Sequence, residues 1–137
     1  MLRRPSDYIA DLSPVVGTRR ERLVDALARI QAHELTLALR LEACLLSIPG
    51  VTLYGVPAHG RRFPTFALNG EAVEPLSVVK QLALKNVCAW SGNYFAVNVM
   101  NRLGIAENGA VRLGIVHCLS ENDVDRVLEG LREVVAG

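Results

Sequence analysis

Gly109-Ala110-Val111-Arg112-Leu113-Gly114-Ile115-Val116-His117, then Cys118-Leu119, then Ser120-Glu121-Asn122-Asp123-Val124-Asp125, is the stretch on which the reading of this chain turns. Residues 110–116 are small or apolar apart from one arginine and have the length of a strand. Ser120 ahead of acidic residues is helix-start chemistry, because its side-chain oxygen can accept an amide that the first turn leaves unpaired. Val124, Val127, Leu128 and Leu131 then recur at helical spacing and mark the inward stripe of a last helix. Arg112 sits in the middle of the strand. A guanidinium covered on such a strand needs an anion, since an unpaired buried charge costs several kcal/mol or more. It either pairs internally, with Glu71 or Asp123 as candidates, or is offered to a carboxylate or phosphate of a ligand.

Upstream lie further short elements, with no internal repeat among them. Val87 to Trp90 reads as a short strand, Ser91-Gly92-Asn93-Tyr94-Phe95 as a loop, and Ala96 to Leu103 as a helix closed by Gly104. Pro75 suits the first turn of a helix running to Lys85, with Leu76, Val79, Leu82 and Ala83 inward. Val51 to Tyr54 and Phe63 to Leu68 alternate with period two, and Asn69-Gly70 is a turn signal. Before them, Thr18-Arg19-Arg20-Glu21 is a capping box. The helix it opens carries Leu23, Leu27, Ile30, Leu37, Leu41, Leu45 and Ile48 on one stripe, until Pro49-Gly50 ends it. Leu35 and Leu39 lie off that stripe and predict a second buried face. At roughly thirty residues the helix is about 45 Å long, longer than a domain of this size is wide. A shorter helix, entered through Ser6 and running to Leu12, precedes it and is broken by Ser13-Pro14 and Gly17. The order is helix, long helix, then ββαβαβα. It predicts an α+β fold: a long N-terminal helix, then a small antiparallel or mixed sheet with helices packed on one face. Residues 1–50 form the helical part of this scheme and residues 51–137 the α+β part.

Composition narrows the function classes. The chain has 137 residues, half of them hydrophobic, with 15 basic against 14 acidic side chains. A net charge of +1 gives no footprint for nucleic acid or an anionic membrane surface. Arg19-Arg20 and Arg61-Arg62 are isolated pairs of the kind found at solvated helix ends and loops. No apolar run approaches the ~20 residues of a membrane span, and Met1 to Asp7 lacks the apolar core of a secretion signal. Cys44, Cys88 and Cys118 are odd in number and lack metal-ligand spacing, which predicts reduced, buried thiols in a cytoplasmic protein. His33, His59 and His117 form no metal cluster with them.

Several segments, taken in order, resemble the C-terminal part of class V aminotransferases, a family that includes the cysteine desulfurases. Asp7-Tyr8-Ile9-Ala10-Asp11-Leu12 resembles the helix that follows the large domain. Ile48-Pro49-Gly50-Val51-Thr52-Leu53-Tyr54-Gly55 is similar to the junction from long helix to first small-domain strand, and Pro64-Thr65-Phe66-Ala67-Leu68 to the next strand. Ser91-Gly92-Asn93-Tyr94-Phe95-Ala96 falls where the desulfurases carry their active-site loop. Gly109 to Arg112 with Asn122 to Asp125 resembles the closing strand and helix. The resemblance implies the small domain of a pyridoxal-phosphate enzyme, an amino-acid-type substrate, and an arginine, Arg112, that grips its carboxylate.

Three departures qualify that implication. The family holds its cofactor as a Schiff base on a lysine in a large domain, whereas the only lysines here are Lys80 and Lys85, neither after a histidine. The large domain has no counterpart, so the isolated chain is expected to bind no cofactor, to be catalytically inactive, and to pair with a large domain or a second copy. Phe95 stands where a desulfurase holds its persulfide-forming cysteine, and Cys118-Leu119-Ser120 stands where Tyr-Asn-Thr is common. A free-standing dimerising or carboxylate-binding module is the alternative. The loop residues Ser91, Gly92, Asn93, Tyr94 and Phe95 serve either as a cover over a substrate or as a plain strand-to-helix turn. No catalytic or metal-binding residue is expected within the chain.

Overall fold

The structure, a computed structural model, describes residues 4–59 and 62–136. Met1 to Arg3 and Arg61 of the Arg61-Arg62 pair lie outside the described residues. Two helices come first, α1 (Pro5–Asp11) and α2 (Arg19–Leu46). They are followed by β1 (Val51–Tyr54), β2 (Thr65–Gly70), α3 (Pro75–Leu84), β3 (Trp90–Gly92), α4 (Val97–Leu103), β4 (Ala110–Gly114) and α5 (Glu121–Ala136).

The helix starts follow the capping chemistry of the sequence, with one exception. Thr18 Oγ1 accepts the Glu21 amide at 3.3 Å, and a Glu21 carboxylate oxygen accepts the Thr18 amide at 2.7 Å. The Thr18 hydroxyl, which donates to the same carboxylate oxygen at 2.8 Å, and then the Thr18 amide hold the Glu21 carboxyl below its ordinary range. Ser120 and Asp123 repeat the arrangement at α5: Ser120 Oγ accepts the Asp123 amide at 3.3 Å, and Asp123 accepts the Ser120 amide at 2.9 Å. The exception is α1, which begins at Pro5 after Arg4 and not through Ser6. Proline at the first helical position gives up an amide that has no partner anyway. The Ser6 hydroxyl instead accepts from Arg19, whose Nε also pairs with Asp7 at 3.1 Å and ties α1 to the start of α2.

The sheet order is β1-β2-β4-β3, antiparallel throughout, so the antiparallel form of the expectation holds. Helices cover one face. Alternation puts Phe66 and Leu68 of β2 and Val111 and Leu113 of β4 on that side, all 0–4% exposed. They pack with Val78 and Leu82 of α3, with Val124, Leu128 and Leu131 of α5, and with Leu37, Leu41 and Leu45 of α2. Arg40 of α2 donates three bonds to Asp125 of α5, 3.1 Å from Nε and 2.8 and 3.0 Å from one terminal nitrogen, tying the two helices at their exposed edge.

Several expectations need correcting. The apolar stripe of α2 is core only in its C-terminal half: Leu27 is 55% exposed, and Leu35 and Leu39 are exposed as well. The sheet has just four short strands and ends before it reaches the first half of the helix. In α3 the fully buried residues are Pro75, Val78 and Leu82, with Val79 half-buried, whereas Leu76 and Ala83 are exposed, because the helix phase is set by packing against α5, β3 and β4. Asn69-Gly70 is not a turn but the end of β2, paired with Thr52 and Val51; the chain turns at Glu71-Ala72. The strand expected from Val87 to Trp90 starts at Trp90, and the last strand stops at Gly114. The thiols are not buried. Cys88 lies in the lead-in to β3 and Cys118 in the turn before α5, and both are exposed, with Cys44 half-buried.

Candidate functional site

The face of the sheet turned away from the helices is where the sequence-predicted residues meet. Register sets the rows: Thr65 lies opposite Gly114, and Arg112 lies between Ala67 on one side and Trp90 on the other. These are the residues left over when alternation sends Phe66, Val111 and Leu113 to the core. Gly114 has no side chain, and a Cβ built there would meet nothing within 4 Å. A concavity of about 480 Å³ opens at that gap, lined by Thr65, Cys88, Ala89, Trp90, Arg112 and Gly114. A larger one, about 810 Å³, lies between α2 and the loop before β2, lined by Ile30, Leu35, Phe63 and their neighbours. It holds none of the predicted residues, and its Arg62 is already spent on the carbonyls of Val56, Phe63 and Thr65.

Arg112 is exposed, and among the described residues no carboxylate stands within ion-pairing distance of it. This corrects the premise of a covered guanidinium: only one face of the strand is covered, and Arg112 is on the other. The two carboxylates weighed as internal partners do not serve. Asp123 is engaged by Ser120 and by Arg126 at 3.0 Å, and Glu71 follows the far end of β2. The recorded neighbour of Arg112 is aromatic, its guanidinium carbon lying 4.8 Å from the centre of the Tyr94 ring.

The loop that brings Tyr94 there is conformationally unusual. Tyr94 and Phe95 both have left-handed backbones, with φ of 52° and 60°. Non-glycine residues in that region each cost about 1–2 kcal/mol, so a consecutive pair persists only where the surroundings fix it. Here they do. Asn93 Oδ1 accepts the Phe95 amide at 3.1 Å, and the Tyr94 hydroxyl lies against the main-chain oxygens of Trp90, at 2.9 Å, and Ala110. Burial pushes the Tyr94 phenol up from its ordinary value, and the Arg112 charge opposes that shift. The junction of β3 and β4 is tight enough to exclude a side chain. At Gly109, with φ +69°, a Cβ would fall 2.2 Å from the Gly92 carbonyl oxygen.

The five loop residues therefore separate. Gly92 and Tyr94 belong with Arg112 on the open face, and Asn93 holds the turn. Ser91 is registered opposite Val111, toward the helix-covered side. Phe95 projects fully into solvent, 100% exposed, with no thiol to offer at that position. Thr65, Cys88 and Gly114 were not singled out as site residues from the sequence, because only knowledge of which strands pair, and in what register, sets them beside Arg112. Elsewhere His33 meets the Leu119 carbonyl at 2.8 Å, and His117 meets the Tyr8 hydroxyl at 3.2 Å. Among the described residues, no three His, Cys, Asp or Glu side chains form a group that could hold a metal ion. No helix among the described residues is long and apolar enough to cross a membrane.

Residues 25–127 match the family model for aminotransferase class-V, and the chain belongs to that family. It is 29% identical over 131 residues to the aminotransferase-like protein FGM3 of Gibberella zeae, covering 93% of this chain and 32% of that protein. It is 28% identical over 110 residues to a probable cysteine desulfurase of Methanothermobacter thermautotrophicus, covering 80% and 27% of the two. A cysteine desulfurase from Thermococcus onnurineus NA1 superposes with a TM-score of 0.77 at 28% identity, over 87% of this chain and 29% of that one. The chain thus spans about a third of the length of the curated relatives it matches.

The family is pyridoxal-phosphate dependent. The residues present do not fit that cofactor's covalent attachment. Lys80 is exposed on α3, and Lys85, just past its end, pairs with Glu133 of α5 at 2.5 Å. Both belong to the helix layer behind the sheet, on the side away from Arg112.

Proposed function

We propose that this chain supplies the substrate-carboxylate end of a class V aminotransferase-type active site, with Arg112 as the gripping residue and the 91–95 loop as its wall. The observation that carries the reading is the state of Arg112: exposed, without a carboxylate partner, and set in a concavity on the open face of the sheet. A guanidinium so placed can take a carboxylate through two parallel N–H bonds. The substrate class is an amino or keto acid. On its own the chain performs no pyridoxal-phosphate chemistry, because a cofactor enzyme must bind and orient the cofactor and neither lysine faces the site. Phe95 in place of a thiol sets it apart from sulfur-transferring relatives. The exposed apolar residues of α2 and of the 95–103 segment fit a chain that is covered by a large domain or by a second copy.

The test is thermal stabilisation of the chain by pyruvate or L-alanine at fixed ionic strength, with and without Arg112→Leu. A ligand that binds the folded state raises its melting temperature. A rise that vanishes in Arg112→Leu supports the reading, and equal melting of both proteins at every concentration removes it. Borohydride reduction of a mixture with pyridoxal phosphate, followed by peptide mapping, checks the second claim. A specific adduct at Lys80 or Lys85 coupled to amino-acid turnover would overturn it. Light scattering over a range of concentrations distinguishes self-association from a requirement for a separate partner.

A further inference from the structure

We infer that Tyr94 is a positioning residue for Arg112, holding the guanidinium in the orientation that receives a carboxylate. The inference rests on the reading of Arg112 as a carboxylate site and adds to it the device that aims the charge. An arginine side chain has four rotatable bonds, and on an open sheet face it has many places to go. The recorded neighbour that restricts it is the Tyr94 ring, 4.8 Å from the guanidinium carbon. A cation is attracted to the face of an aromatic ring, and a guanidinium stacked there keeps its N–H groups free around its edge. Those are the groups that meet a carboxylate in plane. A ring that takes up one side of the cation restricts where the guanidinium can point and leaves its remaining N–H groups for a carboxylate.

The ring can do this because it is itself fixed. The Tyr94 hydroxyl lies against a carbonyl of each neighbouring strand, Trp90 in β3 and Ala110 in β4. The Asn93 side chain pins the following amide, and two successive left-handed residues turn the side chain back over the sheet. A plain strand-to-helix turn has no need of that conformation. It is accounted for by what it delivers, an aromatic face at a set distance from the charge.

The side-chain NMR signal of Arg112 reads this directly, without any ligand. In the wild-type chain the Nε–H and Cδ–H resonances of Arg112, assigned by their loss in Arg112→Lys, should be shifted upfield by the ring. Tyr94→Leu, which keeps bulk but not the ring, should return them to random-coil positions, and Tyr94→Phe should largely keep the shift. Pyruvate affinity, measured by titration at constant ionic strength with chloride as control, should fall about 5–10-fold in Tyr94→Leu and less in Tyr94→Phe. Unchanged Arg112 resonances in Tyr94→Leu overturn the inference, as does unchanged pyruvate affinity in that variant. If the resonances respond but pyruvate binds neither protein, the carboxylate reading fails while the stacking stands. Should Tyr94→Leu not fold, the Arg112 shift in the wild-type chain and its retention in Tyr94→Phe decide the stacking, and the affinity of Tyr94→Phe relative to wild type decides the aiming.

Discussion

The two faces of the sheet are built from the same strands and could hardly be less alike. On the helix side, Phe66, Leu68, Val111 and Leu113 are sealed beneath three helices and tolerate no water. One residue along each strand, Thr65, Ala67, Arg112 and Gly114 look outward and carry a hydroxyl, a charge and an absence of side chain. The difference teaches how one short segment divides its labour. Val111 and Leu113 hold the fold together, and Arg112 between them is released from that duty and free for chemistry. Antiparallel sheets allow this because only one face needs to be covered for the fold to hold.

The sharpest way to break the comparison is to cut into each face in turn. Phe66→Ala should cost about 3–5 kcal/mol in denaturant melts, the usual loss for removing a buried aromatic ring. A loss under about 1 kcal/mol would mean the covered face is not the structural one. Gly109→Ala comes next. The added methyl meets the Gly92 carbonyl and needs a left-handed backbone, so a loss of at least about 2 kcal/mol is expected, with Gly109→Ser alike. Ser120→Ala should cost about 1 kcal/mol, the ordinary value of a helix N-cap.

A pH titration sharpens that last prediction. Bonds from the Ser120 hydroxyl, then from its amide, and the nearby Arg126 charge hold the Asp123 carboxyl below its ordinary value of 3.8. A carboxyl lowered by folding adds stability above its unfolded value, and that addition is lost as pH falls through the folded one. The stability gap between wild type and Asp123→Asn should therefore be widest above pH 4 and close on further acidification. A gap constant from pH 6 to pH 2 would show that the charge of Asp123 adds nothing. The smallest expected effect is the most telling. Arg112→Leu should change stability by only about 0.5 kcal/mol, the low end for an exposed cation resting on an aromatic ring and without a carboxylate partner. A loss of 3–5 kcal/mol, the cost of breaking a buried pair, would move Arg112 to the structural side and dissolve the contrast between the faces.

How legible all this was in the sequence depends on the range of the interactions involved. The capping boxes at Thr18 and Ser120, the proline start of α3 and the glycine end of α4 are local chemistry and are where the residues place them. The inward stripe of α5 was equally plain, since Val124, Leu128 and Leu131 are buried and Val127 nearly so. Periodicity failed on α2, because an apolar stripe says which side is sticky and not how much of it a four-stranded sheet can reach. Asn69-Gly70 failed because turn chemistry yielded to pairing with β1, Asn69 opposite Thr52 and Gly70 opposite Val51, while the Asn69 side chain donates to the Gly109 carbonyl at 3.0 Å. At the site, Arg112 was legible as an oddity within its strand. That it is exposed, that Ser91 faces the other way, and that Thr65 and Cys88 are its neighbours all depend on register, which no single segment encodes.

One consequence of the uneven burial of α2 is mechanical. Its 28 residues make a rod about 42 Å long, held fast over its last third and gripped along the rest chiefly by α1. A rod clamped at one end magnifies angle into travel: a tilt of about 5° at Leu41 moves the Arg19 end by roughly 3 Å over the ~33 Å between them. The core around Leu41 and Leu45 is the fulcrum of that lever, and α1 rides at its far end.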